Sequence, residues 1–316
     1  MIGFSKITES LREAAAAGRL NHSHILLGPD GIGKSPLAEK LAVLILDPKG
    51  ATHRTGFVDI LHIRLSGNSI GVDEIRKLIG EANIKPFEGD RKVIVIHKGD
   101  ALTVQAQNAL LKTLEDPPQG VYFIILSENL DMLLPTIRSR CAVHRLSPLS
   151  RGEMASYIQQ AHGSAEPQFS HALAIARGIP GEADLYIKDE EYRGFLDFIL
   201  QFALDLSLVK SLRDKNCLKI LDKNKLILSY GPVRFLEGLL LLMRDVSVVK
   251  ICKDYKNIIF LYNNERVKAI AGNFSMARLS SITEECDRGL KLLITGRNIN
   301  KETVIDSVLM RLTEES

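Results

Sequence analysis

Residues 24–36 read HILLGPDGIGKSP. Gly28, four residues, then Gly33-Lys34-Ser35 is the spacing of a phosphate-binding loop. This constrains the fold more than any other feature, because such a loop works only between a strand and the N-terminus of a helix. The glycines let successive backbone N–H groups turn inward around an anion, and the helix end adds a partial positive charge. The apolar run before Gly28 is a strand signal. Leu37, Leu41, Leu44 and Ile45 repeat at helical spacing behind it and predict a helix over 34–46. In this reading Gly28, Gly31 and Gly33 shape the loop, Lys34 reaches the outer phosphates and Ser35 stands where Mg²⁺ would be held.

The chain then continues to alternate. VDILHIRL, RKVIVIH and VYFIILS read as strands, and RKVIVIH has so few polar breaks that burial on both faces is expected. GVDEIRKLIGEANI reads as an amphipathic helix with Asp73 as its N-cap. TVQAQNALLKTLEDPP is a helix opened by Thr103 and stopped by Pro117-Pro118, and LLPTIRSRC holds a short helix opened by Pro135. Alternating strands and helices predict a parallel sheet covered on both sides. From about Arg151 the strand signals fade. SRGEMASYIQQAHG and SHALAIARG are short helices ended by Gly163 and Gly178, and the chain is helical nearly throughout from Tyr186 onward. The basic tract KNCLKILDKNKLILSYG between two of the later helices reads as a solvated linker.

A length of 316 residues suits two or three domains, and 45% hydrophobic with 25% charged residues is an ordinary soluble balance. A net charge of +3 is too small for a dedicated nucleic-acid-binding domain, so any such contact is expected to be shared with other chains. The four cysteines are scattered and form no CxxC pair, which predicts buried small hydrophobes, with no structural zinc. The first twenty residues lack the apolar core of a signal peptide. The longest Leu-rich run, Leu239–Met243, is too short to span a bilayer, so a cytoplasmic location is expected.

Three positions argue against turnover at this loop. Pro36 has no N–H to offer a phosphate; a donor that met an anion would be worth about 1.5–3 kcal/mol. The strand RKVIVIH should end in a carboxylate that holds Mg²⁺ and a second group that activates water, yet His97 and Lys98 stand there. Imidazole is a poor ligand for Mg²⁺, and an ammonium repels it. Asp100 lies past the strand end and reads as a turn cap.

GRLNHSHILLGPDGIGKS, VDEIRKLI, QNALLKTLEDPP and LPTIRSRC together resemble the clamp-loader branch of the AAA+ ATPases, and within it the delta-prime family of bacterial DNA polymerase III. The motifs carry the resemblance over about residues 1–190. It implies a RecA-like α/β domain over 1–149, a helical lid over 150–188 and an all-α collar over 189–316. It also implies a five-membered ring with motor subunits (gamma/tau) and a delta subunit, which places a sliding clamp on primed DNA, with this member hydrolysing no ATP itself. Ser139-Arg140-Cys141 matches the family's SRC motif, whose arginine reaches the γ-phosphate of ATP on a neighbouring subunit. A guanidinium suits that task as a permanent, planar cation. Cys141 beside it reads as packing. Asn129 matches the family's polar sensor after the fourth strand, and reads equally as a turn former. Where the lid's arginine is expected, this chain has Gly181-Glu182. The four-cysteine zinc module of many relatives has no counterpart between Pro36 and Lys92. No resident metal or required cofactor is expected, which leaves room for weak binding of ATP or ADP without turnover. An active motor subunit and a scaffold derived from a phosphate-loop fold remain the alternatives.

Overall fold

The computed structural model describes residues 4–48, 56–65, 67, 69–165, 167–209, 220–253, 258–295 and 299–314. They divide into two compact units, residues 1–160 with 178–181, and residues 161–177 with 182–316.

The first unit begins with α1 (Ser5–Ala16), β1 (Ser23–Leu27) and α2 (Lys34–Leu46), followed by β2 (Ile60–Ile63) and α3 (Val72–Ala82). It continues with β3 (Lys92–Ile96), α4 (Val104–Glu115), β4 (Val121–Ser127), α5 (Pro135–Arg138), β5 (Ala142–Arg145) and α6 (Arg151–His162). The five strands form one all-parallel sheet in the order β2-β3-β4-β1-β5. Every residue of β1 and β3 is buried, as a sheet covered on both faces requires. Their Ile25, Ile94 and Ile96 join Phe123, Ile125, Leu110 and Ile75 in the core between the sheet and α3 and α4.

Local chemistry explains the ends of these helices. The Thr103 hydroxyl accepts from the Ala106 N–H and opens α4, as its sequence predicts. Asp73 does not cap α3. The helix starts earlier, at Val72, so Gly71 is the cap and the Glu74 carboxylate accepts from its N–H. Asp73 instead pairs with Arg76 on the exposed face. Lys92 is buried, and its ammonium donates to the carbonyls of Glu81 and Ile84, closing the C-terminus of α3.

Strand β5 was not foreseen. Its four residues, AVHR, carry no apolar run; pairing with β1 makes it a strand.

The second unit contains α7 (Gln168–Ala176) and most of α8 (Pro180–Lys188), then α9 (Glu190–Ser207), α10 (Asn224–Tyr230) and α11 (Pro232–Cys252). It ends with α12 (Asn264–Asn273), α13 (Met276–Thr295) and α14 (Lys301–Thr313). Phe195, Phe202, Phe235, Leu239 and Ile270 fill its core. The basic tract is not the solvated linker that its charges suggest. Over 220–231 the tract is packed: Ile220 and Ile227 are fully buried. Lys223 pairs with Asp205 at 2.5 Å, with its ammonium 5.6 Å from the centre of the Phe202 ring. Residues 215–219, including Cys217, lie outside the described residues. No single helix among the described residues is long and apolar enough to cross a membrane.

Candidate functional site

The loop Gly28–Gly33 lies at the C-terminal edge of the sheet, where ligands bind in open parallel sheets. Gly31 (φ +74°) and Gly33 (φ +109°) hold left-handed conformations that a side chain would strain. Lys34 is buried at the start of α2, and its ammonium donates to the carbonyls of Gly28 (2.8 Å) and Pro29 (2.9 Å). Burial lowers its pKa, opposed by the carboxylates of Glu128, Asp30 and Asp100. Lys34 therefore senses charges from the ends of β3 and β4, and the topology brings these three segments together. Ser35 and Pro36 are exposed in the first turn of α2, where an N–H has no helical partner, so the helix tolerates the proline.

His97 and Lys98 follow directly on β3. β4 separates β3 from β1, so this end is about 10 Å from the loop strand, two strand spacings. The His97 ring is nearly buried and lies 3.1 Å from His62, whose other nitrogen faces Glu39 at 3.3 Å. Burial, then the charges of Arg64 and His62, lower the His97 pKa to about 4, so the ring is neutral at pH 7. Lys98 takes a left-handed backbone (φ +56°) and pairs with Glu128 at 3.3 Å. Burial acts to lower its pKa, but the Glu128, Asp30 and Asp100 carboxylates raise it, so it stays a cation.

Asp100 is a cap, but of a different turn from the one that follows it. Its carboxylate accepts from the N–H groups of Glu128 (2.9 Å) and Asn129 (3.3 Å) and from the Ser127 hydroxyl, tying the end of β3 to the end of β4. We expect Asp100→Ala to cost about 1–2 kcal/mol, measured by urea denaturation, because several donors lose a charged acceptor at a partly exposed site. The Asn129 side chain accepts from the Asp131 N–H at 2.9 Å and forms a turn there.

The segment expected to carry the lid arginine meets the loop instead through its backbone. The Gly181 N–H donates to the Gly31 carbonyl at 2.9 Å. A Cβ on Gly181 would come within 2.6 Å of the Gly31 Cα, so only glycine fits. Next to it, the Glu182 carboxylate accepts from the Tyr192 hydroxyl.

Arg140 belongs to a separate group, built by α4 and α5. Its guanidinium donates to the Glu115 carboxylate (2.8 Å) and the Thr136 carbonyl (3.0 Å), and its side chain keeps 32% exposure. The approach to it is set by Gln107, a buried amide on α4. Gln107 donates to the carbonyls of Leu102 and Met132 and accepts from the Leu134 N–H at 2.7 Å. Cys141 packs against the apolar core, and burial pushes its thiol up to about 12, in keeping with a packing role. Neither Gln107 nor Glu115 stood out in the sequence. A polar residue inside the buried stripe of α4 was the one available signal for Gln107.

The loop has the glycine spacing and left-handed turns that suit a phosphate chain, with the Lys34 ammonium turned to the carbonyls of Gly28 and Pro29. A hydrolysing Mg²⁺ centre does not fit its surroundings. The strand end offers a neutral imidazole and a cation, and the two carboxylates at the neighbouring strand ends are engaged, Asp100 by the β4 turn and Glu128 by Lys98. Among the described residues no cluster of three or more His, Cys, Asp or Glu side chains could hold a metal ion.

Sheet order, loop and helical second unit define the class, a RecA-like phosphate-loop domain of AAA+ type followed by helices. Residues 3–150 match the family model described as DNA polymerase III, delta subunit. The delta' subunit of Pseudomonas aeruginosa DNA polymerase III is 36% identical over 151 residues, 42% of this chain and 45% of its own length. The delta' subunit of Escherichia coli is 28% identical over 190 residues, 55% and 57% of the two chains. The gamma/tau subunit of Mycobacterium bovis is 25% identical over 288 residues, 80% of this chain and 50% of its own. A gamma subunit-related protein of Thermotoga maritima shares the fold with a TM-score of 0.50 at 17% identity, covering 97% of this chain and 98% of its own. The chain spans about half the length of the curated relatives it matches. Over residues 3–150 this chain is thus similar to the clamp-loader subunits of DNA polymerase III.

Proposed function

We propose that this chain is a non-hydrolysing delta-prime-type subunit of a DNA polymerase III clamp loader, acting in the cytoplasm. It joins gamma/tau motor subunits and a delta subunit in a five-membered ring that loads a sliding clamp onto primed DNA. The lid over 150–188 and the collar over 189–316 are part of this reading. Arg140 serves ATP bound by a neighbouring motor subunit, while the chain's own loop (Gly28, Gly31, Gly33, Lys34, Ser35, with Asn129 nearby in sequence order after β4) holds ATP or ADP weakly and without zinc. The observation that carries the reading is the end of β3. A neutral His97 and a cationic Lys98 stand where phosphoryl transfer needs an acid to hold Mg²⁺.

The test is phosphate release by the full chain alone. With Mg²⁺ and saturating ATP, turnover is expected to stay below about 10⁻³ s⁻¹, the scale of a phosphate-loop site without its completing groups. Isothermal titration is expected to give the same weak ATP affinity with and without Mg²⁺. Sustained magnesium-dependent turnover would overturn the proposal. It would favour a motor-subunit reading, which draws on the loop spacing and on the 25% identity to gamma/tau over 80% of the chain.

A further inference from the structure

We propose that Glu115 is the positioning residue for Arg140, a role that rests on the reading of Arg140 as the group serving a neighbour's ATP. Helix α4 controls α5 and the residues after it from two points. Near its start, Gln107 fixes the chain entering α5 by accepting from the Leu134 N–H and donating to the Met132 carbonyl. At its last residue, Glu115 accepts from Arg140 at 2.8 Å. The two side chains are eight positions apart, about 12 Å along the helix. Between them they bracket a four-residue helix that could not hold a fixed direction by its own hydrogen bonds.

An arginine side chain has about 2 kcal/mol of rotamer freedom, and this one is a third exposed. Glu115 takes one face of the guanidinium while the Thr136 carbonyl and Ser139 hydroxyl take another nitrogen. The fork is thus oriented before any anion meets it, and these three acceptors do not use all of the guanidinium's N–H groups. The nearby Arg138 is tied elsewhere, to Asp131 at 3.2 Å, so it does not compete for Glu115. Glu115 also stays mostly exposed, so the pair contributes little to stability. Its effect falls on direction.

The experiment uses the full chain assembled with its gamma/tau and delta partners. Steady-state kcat and KM for ATP are measured for Glu115→Ala, Glu115→Asp, Arg140→Ala and the double variant, with thermal melts and subunit co-elution as controls. Glu115→Ala is expected to lower kcat roughly 10- to 100-fold, as misplacement of a catalytic group does, with KM within about twofold. Melting temperature and assembly should match the wild type, and Glu115→Asp should recover part of kcat. The double variant should be no slower than Arg140→Ala alone. If Arg140→Ala collapses turnover while Glu115→Ala is as fast as wild type or faster, the positioning role is wrong and the reading of Arg140 stands. If Arg140→Ala itself leaves turnover unchanged, the underlying reading fails and this proposal with it.

Discussion

Replacing Arg140 by alanine in the assembled complex is expected to reduce ATP turnover by about 10³–10⁵, equivalent to roughly 4–7 kcal/mol of transition-state stabilisation. The size follows from what a guanidinium does at a transferring phosphoryl group. It is a permanent charge in a fixed fork, aimed where negative charge spreads in the transition state and much less so in the ground state. Neighbour ATP affinity should therefore change far less than kcat. The variant should fold, since the lost contacts are one exposed ion pair and hydrogen bonds to Thr136 and Ser139. Arg140→Lys keeps the charge but loses the planar fork, and is expected to recover only a small part of the rate. Phosphate release from the reconstituted ring checks this, and undiminished turnover by the alanine variant would remove Arg140 from the mechanism.

A second large effect is expected in acid. His24 on β1 and His144 on β5 face each other across adjacent strands, ring nitrogens 2.9 Å apart, with His24 almost fully buried. Only one of the two nitrogens can carry the proton of that hydrogen bond while both rings stay neutral. Burial, then the charge of His144, lowers the His24 pKa to about 4, and burial lowers His144 as well. Because the folded state resists protonation, the unfolded chain binds more protons below its ordinary value of 6.5. The stability this pair contributes is complete above that pH and is lost as pH falls from about 6.5 towards 4. For His24 the loss is on the order of 3 kcal/mol. Urea denaturation midpoints between pH 7.5 and 4.5 measure it. His24→Leu should reduce the slope and leave the share that His97 contributes, and an unchanged slope in that variant would place the acid sensitivity elsewhere.

These two predictions differ in how far the sequence alone could reach them. The short helix that precedes Arg140 was legible because its signal is local. Ser139-Arg140-Cys141 follows Pro135 by a few residues, and α5 forms where expected. The phosphate loop, the fully buried β3, and the Thr103 cap of α4 were legible for the same reason. Their chemistry lies within one turn or one strand of the chain. The histidine pairs were not legible. His24 and His144 are 120 residues apart, and His62 and His97 are 35 apart, so no spacing announces them. Strand β5 was missed because a parallel edge strand is created by its partner. The packed tract around Lys223 was misread because its charges look solvated until Asp205 and two phenylalanine rings are placed beside it.

By itself the sequence determined the strand–loop–helix unit and which groups that unit lacks. Glycine spacing, a proline without an N–H, and the His97-Lys98 pair are properties of the chain in any fold. Tertiary structure alone decided which groups answer one another. It turned Asp100 to the β4 turn, set Gly181 against Gly31, and laid Arg140 on Glu115. The reason is range: backbone conformation is governed by neighbours in sequence, whereas charge, burial and hydrogen-bond partnership are governed by neighbours in space.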